Sequence, residues 1–478
     1  MNRISHSILI KQLFGTMTLE AIGQLVSFFG VILYTQLFSQ TVLGSYFLLV
    51  AVLSIISFFG GTGVSADIPR RINQSSNPER EIMAAVVFIS LISAILSIVA
   101  FFAQPVTNRY IGNLFGLSMI VLIPISMFTL LTDAVLRGEK KNSRAVALRT
   151  FQKGSTYLIG CLAIVSGVDH RIALVGGLLF GKLLEFGGGF VLIDLSPRGV
   201  PEKEELIMLT NRIVDLTATG LGNLGQQWVD TLLIGAILAP EMVAIYEVAW
   251  RFSAVGLTIT NAVTSVFYPR FAEAVDRKDH QGIQRYTGTI FFYVSALMIA
   301  LLAGALAIGD NLVTIIYGTG YAAAYLPLVV LLAGRIPYSL SRILVQLGYS
   351  YNIDRGIARA SLSAGVLNAV VNLFLISWIG IVGAAISSFL SYIIFSVLLF
   401  QLLSDRVGYP KLTQLIAGVV ASGVMFVTVN LLSKTDPSNL VSLISLVIVG
   451  GAVFAIVLIA LSQTVRSDLF DIVEMVSR

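Results

Sequence analysis

Several charged residues stand inside apolar runs, at spacings that put them on shared helix faces. Glu247 and Arg251 are four apart, and Arg335 and Arg342 are seven apart in a run that contains no acid. Lys182 and Glu185 are three apart, and Arg149 and Lys153 are four apart. Residues at these separations are neighbours on a helix surface. An arginine oriented by an acid can hold an anionic headgroup, because its planar fork matches phosphate oxygens. The same acid can instead simply neutralise the arginine, and Glu247 fits either role. Two polar stripes accompany the charges. One runs through Asp215, Thr219, Asn223, Gln226, Gln227 and Asp230, the other through Thr16, Glu20, Gln24 and Ser27. Such groups in lipid face protein or water. They either line a cavity or hydrogen-bond between helices.

Other chemistries find no residues. His6, His170 and His280 lie far apart with no metal-ligand spacing, and Cys161 is the single cysteine. No Ser-His-Asp or Cys-His arrangement and no paired-carboxylate site is readable. The stretch from Gly176 to Lys182, GGLLFGK, matches the start of a phosphate-binding loop, but Leu183 stands where Ser or Thr is needed. It lies within an apolar run and reads as small-residue helix packing through Gly177 and Gly181. Asn73-Gln74-Ser75 matches a glycosylation acceptor, but it falls in a loop placed in the cytoplasm below, so it reads as a chance match.

The elements that must carry these residues are membrane spans. The chain is 56% hydrophobic and 12% charged, with a mean hydropathy of +0.88, against about 25% charged in soluble domains. A soluble core cannot hide that much apolar surface. The net charge of +5 does not point to nucleic acid, because the positive residues are segregated by loop. Fourteen runs of roughly 20 residues or more are long enough to cross a core of about 30 Å. They lie at 13–38, 44–66, 81–103, 112–136, 146–166, 172–194, 210–238, 244–269, 285–309, 326–350, 357–377, 380–403, 412–433 and 439–463. The first is too long for a signal peptide and contains Glu20. Arg335 lies about nine residues into span 10, roughly 13 Å deep. Arg342 either shares that face or snorkels to the inner surface. Arg149 is shallow and snorkels, Lys153 is deeper, and Asp133 sits near basic loop residues.

Twenty-two of the 31 Lys and Arg fall in the two tails, the even-numbered loops and the span ends beside them, and three (Arg109, Arg171 and Lys434) in the odd-numbered loops. The positive-inside rule then puts both termini in the cytoplasm. The loops are short and offer no soluble catalytic domain. The tail 464–478 reads as a short interfacial helix or a frayed end.

The chain repeats internally. At an offset of 200, Tyr46 matches Tyr246, Pro69 matches Pro269 and Arg70 matches Arg270; near 207, Val175-Gly176-Gly177 matches Val382-Gly383-Ala384. Six spans per copy give both copies one orientation, related by an axis along the membrane normal with a central cleft. The expected organisation is an N-lobe at 1–194, a polar linker at 195–209, a C-lobe at 210–403, and two appended helices with the tail at 404–478.

The segments GSYFLLVAVLSIISFFGGTGVSADIPRRI, WVDTLLIGAILAPEMVAIYEVAWRF, VTSVFYPRFAEA and GVLNAVVNLFLISWIGIVGAAISSFLSY carry a resemblance. The last holds Asn368 and Asn372 followed by Gly380, Gly383 and Ala384. Together the sequence resembles the multidrug/oligosaccharidyl-lipid/polysaccharide exporter superfamily, in its polysaccharide-transporter branch. The resemblance implies flipping of a lipid-linked glycan by alternating access, with an anionic headgroup held in a cationic cleft; the matching cleft cation is Arg251. Peptidoglycan-precursor flippases of the superfamily carry arginines on spans 1 and 2. Here span 1 has Glu20 and span 2 has none, which argues against that substrate.

The sequence therefore reads as an all-α polytopic membrane transporter, not an enzyme, moving a lipid-linked oligosaccharide across the cytoplasmic membrane. Arg251, Arg335 and Lys153 are expected to hold the headgroup, with Lys182 and Arg342 in reserve, and Asn223, Gln227 and Gln24 to meet the sugar. Glu20, Asp230 and Glu247 are candidates for binding a coupling proton or sodium ion, unless membrane potential alone drives the anion. No cofactor is implied; the partners are the bilayer, the lipid-linked glycan and, by resemblance, other glycan-assembly proteins. The alternatives are a drug or organic-cation antiporter of the same architecture, and a membrane glycosyltransferase or polymerase.

Overall fold

The computed structural model describes residues 2–351, 353–434, 439–468 and 470; side chains at 2–14, 16–17, 212, 214–221, 223, 259, 262 and 265–272 lie outside that description. The protein is a multi-pass, all-helical membrane protein, with no strand among the described residues. Its first half runs α1 (Asn2–Leu37), α2 (Gln40–Ser57), a π-helical turn (Phe58–Thr62), α3 (Gly63–Gln74), α4 (Pro78–Phe102), α5 (Gln104–Ile111), α6 (Asn113–Gly138), α7 (Asn142–Val165) and α8 (His170–Leu192). The second runs α9 (Lys203–Ile237), α10 (Pro240–Ser253), α11 (Val255–Asp276), α12 (His280–Tyr317), α13 (Tyr325–Ser350), α14 (Asp354–Ile379), α15 (Ile381–Leu403), α16 (Leu412–Ser433) and α17 (Leu440–Leu461). Among the described residues, eleven helices are long and apolar enough to cross a membrane. The other three expected spans fall on α7, α9 and α10–α11, which carry Lys153, Asp230, Glu247 and Arg251.

Local chemistry sets the ends. Ser39, Asp169 and Asn439 accept backbone N–H groups at the starts of α2, α8 and α17, donors that no helical carbonyl reaches. Between α14 and α15, Gly380 adopts φ 64°, where a side chain is disfavoured. A Cβ on Gly383 would lie 2.2 Å from the Leu375 carbonyl oxygen, so this hairpin closes only with glycine there. Across it, Asn368 Nδ2 donates to Ser387 and Ser388, Ser387 Oγ donates to the Asn368 carbonyl at 2.8 Å, and Ser391 Oγ to that of Ala364 at 2.8 Å. Hydrogen bonds of this kind tie helices where the hydrophobic effect does not. The Asn368–Asn372 pattern is thus a packing device.

The chain divides into two compact units, Met1–Ala244 and Ile245–Arg478. The sequence repeat sets α9 at the head of the second copy, whereas packing sets it in the first unit, on α2, α3 and the π turn. Within that unit, α7 packs on both α1 and α8. Gly177 and Gly181 lie against the Thr156 and Gln152 carbonyls, which confirms small-residue packing for the GGLLFGK stretch. Tyr34 Oη donates to the Thr156 carbonyl at 2.8 Å. In the second unit, α12, α16 and α17 share one apolar cluster around Phe292, Met425 and Phe454. The start of the tail docks there: Val465 is buried, and Tyr293 Oη donates to Asp468 at 2.6 Å.

Two spans expected as continuous are interrupted. The helix through α2 and α3 passes through the π turn at Phe58–Thr62, and that through α10 and α11 breaks at Ala254. At the repeat offset of 200 these two irregularities lie about one turn apart. Each has glycine beside it: Gly60 and Gly61 in the first, Gly256 in the second.

Candidate functional site

Arg335 is the most deeply buried of the expected site residues, at 1% exposure. Its position on α13 puts it beside the end of α10. Nε donates to Ser253 Oγ at 3.2 Å and Nη1 to Tyr392 Oη at 3.4 Å. The guanidinium carbon lies 5.2 Å from the Trp250 ring centroid and 5.6 Å from those of Tyr338 and Tyr392. Nη2 makes no hydrogen bond, and no carboxylate lies within ion-pair distance of Arg335 among the described residues. Three aromatic faces and the carbonyl end of α10 offset the charge in place of an acid. Part of this cage was readable, since Tyr338 is three residues from Arg335 on one face. Trp250, Ser253 and Tyr392 come from other helices, and no spacing announces them.

Arg251 lies one residue beyond Trp250. Its Nε donates to Glu247 Oε2 at 3.1 Å, with the arginine side chain 21% exposed and the glutamate 3%. The pair expected from the i, i+4 spacing therefore forms, with the cation as its outward member. Seven residues beyond Arg335, Arg342 is exposed, so the two arginines share a face but not an environment.

In the first unit many of the charges are paired. Lys182 donates to Glu185 at 3.0 Å, as an internal pair. Asp133 lies between two cations, 2.9 Å from Arg137 Nε and 3.4 Å from Arg149 Nε. Arg71 meets Asp67 and Glu81, Arg80 meets Glu202 and Glu205, and Lys141 meets Asp194. Asn73 donates to the Pro69 and Gly138 carbonyls at 2.7 and 3.0 Å, a structural use of that side chain. The Lys153 ammonium lies 3.8 Å from where a Cβ on Gly23 would stand, so it reaches α1. On α1, Glu20 and Gln24 are exposed on the side opposite Ile22, Leu25, Phe29 and Leu33, which are exposed too. A carboxylate exposed within a span faces water rather than hydrocarbon, so α1 has one lipid face and one wet face.

The stripe on α9 divides. Gln227 is exposed, Gln226 and Asp230 are buried, and both buried members have partners. Asp215, Thr219 and Asn223 lie outside the described residues. No metal-ligating cluster occurs among the described residues.

An all-helical membrane fold built on two repeated hairpins, with charged residues held inside its spans, defines an exporter of the multidrug/oligosaccharidyl-lipid/polysaccharide superfamily, in its polysaccharide branch. Residues 34–326 match the profile of the family described as polysaccharide biosynthesis protein, and the chain belongs to that family. A curated relative, the probable low-salt glycan biosynthesis flippase Agl15 of Haloferax volcanii, is 27% identical over 84% of this chain and 86% of its own. The probable flippase AglR of the same organism is 24% identical over 52% of each chain. Among solved structures, the lipid II flippase MurJ in an inward closed conformation has the same fold, with a TM-score of 0.82 and 13% identity, over 95% of this chain and 99% of that one. An inward-facing multidrug resistance MATE transporter matches at a TM-score of 0.58 and 12% identity, over 88% of this chain and 100% of that one.

Proposed function

We propose that this protein is a flippase that carries a lipid-linked oligosaccharide from the inner to the outer face of the cytoplasmic membrane by alternating access, with both termini in the cytoplasm. The observation that carries this reading is Arg335, a charge kept inside the membrane without a carboxylate. Arginine at such depth is costly and marks a transport path, and an arginine with an open donor suits an anion rather than a cation. Arg251 is the headgroup cation of the accessible surface, Arg335 the deeper one, and Lys153 a third. Arg342 is a reserve at the inner side, and Lys182 is demoted by its bond to Glu185. Gln24, Gln227 and Asn223 are proposed to meet sugar hydroxyls, and Glu20, Asp230 and Glu247 are the sites for a coupling ion. The polysaccharide family and the flippase relatives support a glycan-lipid as cargo, and the chain's own role is transport rather than sugar transfer.

The test is deletion of the gene followed by measurement of lipid-linked glycan on each membrane face with a non-permeant lectin. Accumulation on the inner face is expected. Normal outward appearance, in a strain lacking redundant transporters, overturns the proposal. Sugar transfer by the purified protein overturns it in favour of an enzyme. Drug efflux that depends on Glu247 but not on Arg335 overturns it in favour of an antiporter.

A further inference from the structure

Both sides of the break at Ala254 are fastened to α13, by different means. On the α11 side, Thr260 Oγ1 donates to Ser339 Oγ at 2.9 Å, and both residues are fully buried. On the α10 side, the fastening is Arg335, through Ser253 Oγ and the Trp250 ring. Ser253 and Trp250 form the last turn of α10, and Ser253 Oγ also donates to the Trp250 carbonyl at 2.7 Å. Between the two fastenings the helical hydrogen bonding tightens by one residue, and Thr260 Oγ1 also lies 3.2 Å from the Gly256 carbonyl. Ala254 N–H donates four residues back to Trp250 at 3.0 Å, but Leu257 N–H donates only three back, to Ala254, at 3.0 Å. Gly256 lies within this step, with no Cβ to restrain it.

The two fastenings differ in what can undo them. The Thr260–Ser339 bond joins two neutral hydroxyls. Arg335 is held at 3.2 and 3.4 Å, at or beyond the long end of the normal range, and its Nη2 makes no bond. A phosphate accepts two parallel, shorter, charge-assisted bonds from such a fork. We propose that Arg335 is the latch of a hinge at Ala254, and that an anionic headgroup opens it by competing for the guanidinium. This rests on the headgroup reading given above. The half released is α10, which carries Glu247 and Arg251, while α11 stays on α13. Headgroup capture and movement of the second cation are thereby one event.

The experiment is native-state amide exchange at residues 254–257 of the full chain in lipid nanodiscs, with farnesyl diphosphate as probe. In the unmodified protein the probe is expected to speed exchange about tenfold or more, the scale of losing a charged hydrogen bond with its ring contacts. Arg335→Ala should exchange that fast without probe and not respond further. Ser253→Ala, which keeps the charge and rings, should show a rise of about threefold and decides the matter if Arg335→Ala does not fold. Unmodified exchange rates in Arg335→Ala, or in Ser253→Ala as the deciding variant, overturn the latch even where the probe acts on the unmodified protein. If the variants exchange faster but the probe leaves the unmodified protein unchanged, the competition and the headgroup reading both fall, and a structural pin remains.

Discussion

The two repeats build a similar joint, and the second adds a cation to it. In the first, the π turn at Phe58–Thr62 is packed by α6: a Cβ on Gly60 would lie 2.2 Å from Met127 Cε, and one on Gly61 2.5 Å from Leu130 Cδ1. In the second, the glycine beside Ala254 is packed in a similar way by α12, a Cβ on Gly256 lying 2.9 Å from Met298 Sδ, and α13 adds Arg335 against the end of α10. The Ile-Pro-x-Ser stretches inside the two helices, Ile123–Ser126 and Ile336–Ser339, relate Arg335 to the buried Leu122. The equivalent helix thus presents leucine in one copy and a guanidinium in the other. An apolar filler is satisfied by dispersion contacts and asks nothing of a ligand. A buried cation held by hydroxyls and ring faces remains open to a better partner. The first hairpin likewise has Ala51, fully buried, where the second has Arg251. Ion pairs occur in both units, Lys182–Glu185 in the first and Arg251–Glu247 in the second. The scaffold is duplicated, and one copy carries a caged cation where the other is apolar.

The strongest way to break this comparison is Arg335→Ala. Loss of at least tenfold in glycan-lipid translocation by reconstituted vesicles is expected, the scale of one charged hydrogen-bond partner, with protein levels unchanged. Ordinary flux would mean that the two joints are equivalent after all. Next comes the first joint itself. Gly60→Val should lower stability by about 1–3 kcal/mol through overpacking, read as a drop in thermal unfolding temperature that Met127→Ala partly reverses. A fall in translocation beyond the loss of folded protein would show that this joint, too, serves the cargo. Lys182→Met combined with Glu185→Gln should change flux by less than about twofold, because the pair already cancels its own charge, whereas Lys182→Met alone should lower stability by leaving the buried Glu185 carboxylate unpaired. The smallest effect is at the turns. Thr41 donates to Glu241 across equivalent positions of the two hairpins and holds that carboxyl below its ordinary value. A depressed carboxyl stabilises above its unfolded value and loses that contribution as the pH falls. Thr41→Val should therefore cost a few tenths of a kcal/mol at neutral pH, and nothing once the medium is acid enough to protonate Glu241; a loss that grows on acidification would contradict the sign.

The sequence by itself determined the solvent, the helical class, the repeat and the pairs that share a helix. Apolar run length is a one-dimensional property, and i, i+3 and i, i+4 neighbours are fixed by helix geometry alone. Glu247–Arg251, Lys182–Glu185 and the Gly177–Gly181 packing are all local in this sense, and so was the lack of an acid near Arg335 on its own span. Only the tertiary structure decided what surrounds that arginine. Its cage comes from α10, α13 and α15, and Tyr392 stands 57 residues away along the chain. The break at Ala254 was equally hidden, because no proline interrupts the run between Pro240 and Pro269. Hydropathy records whether a segment prefers lipid; it does not record where a helix yields, which depends on the neighbour packed against it.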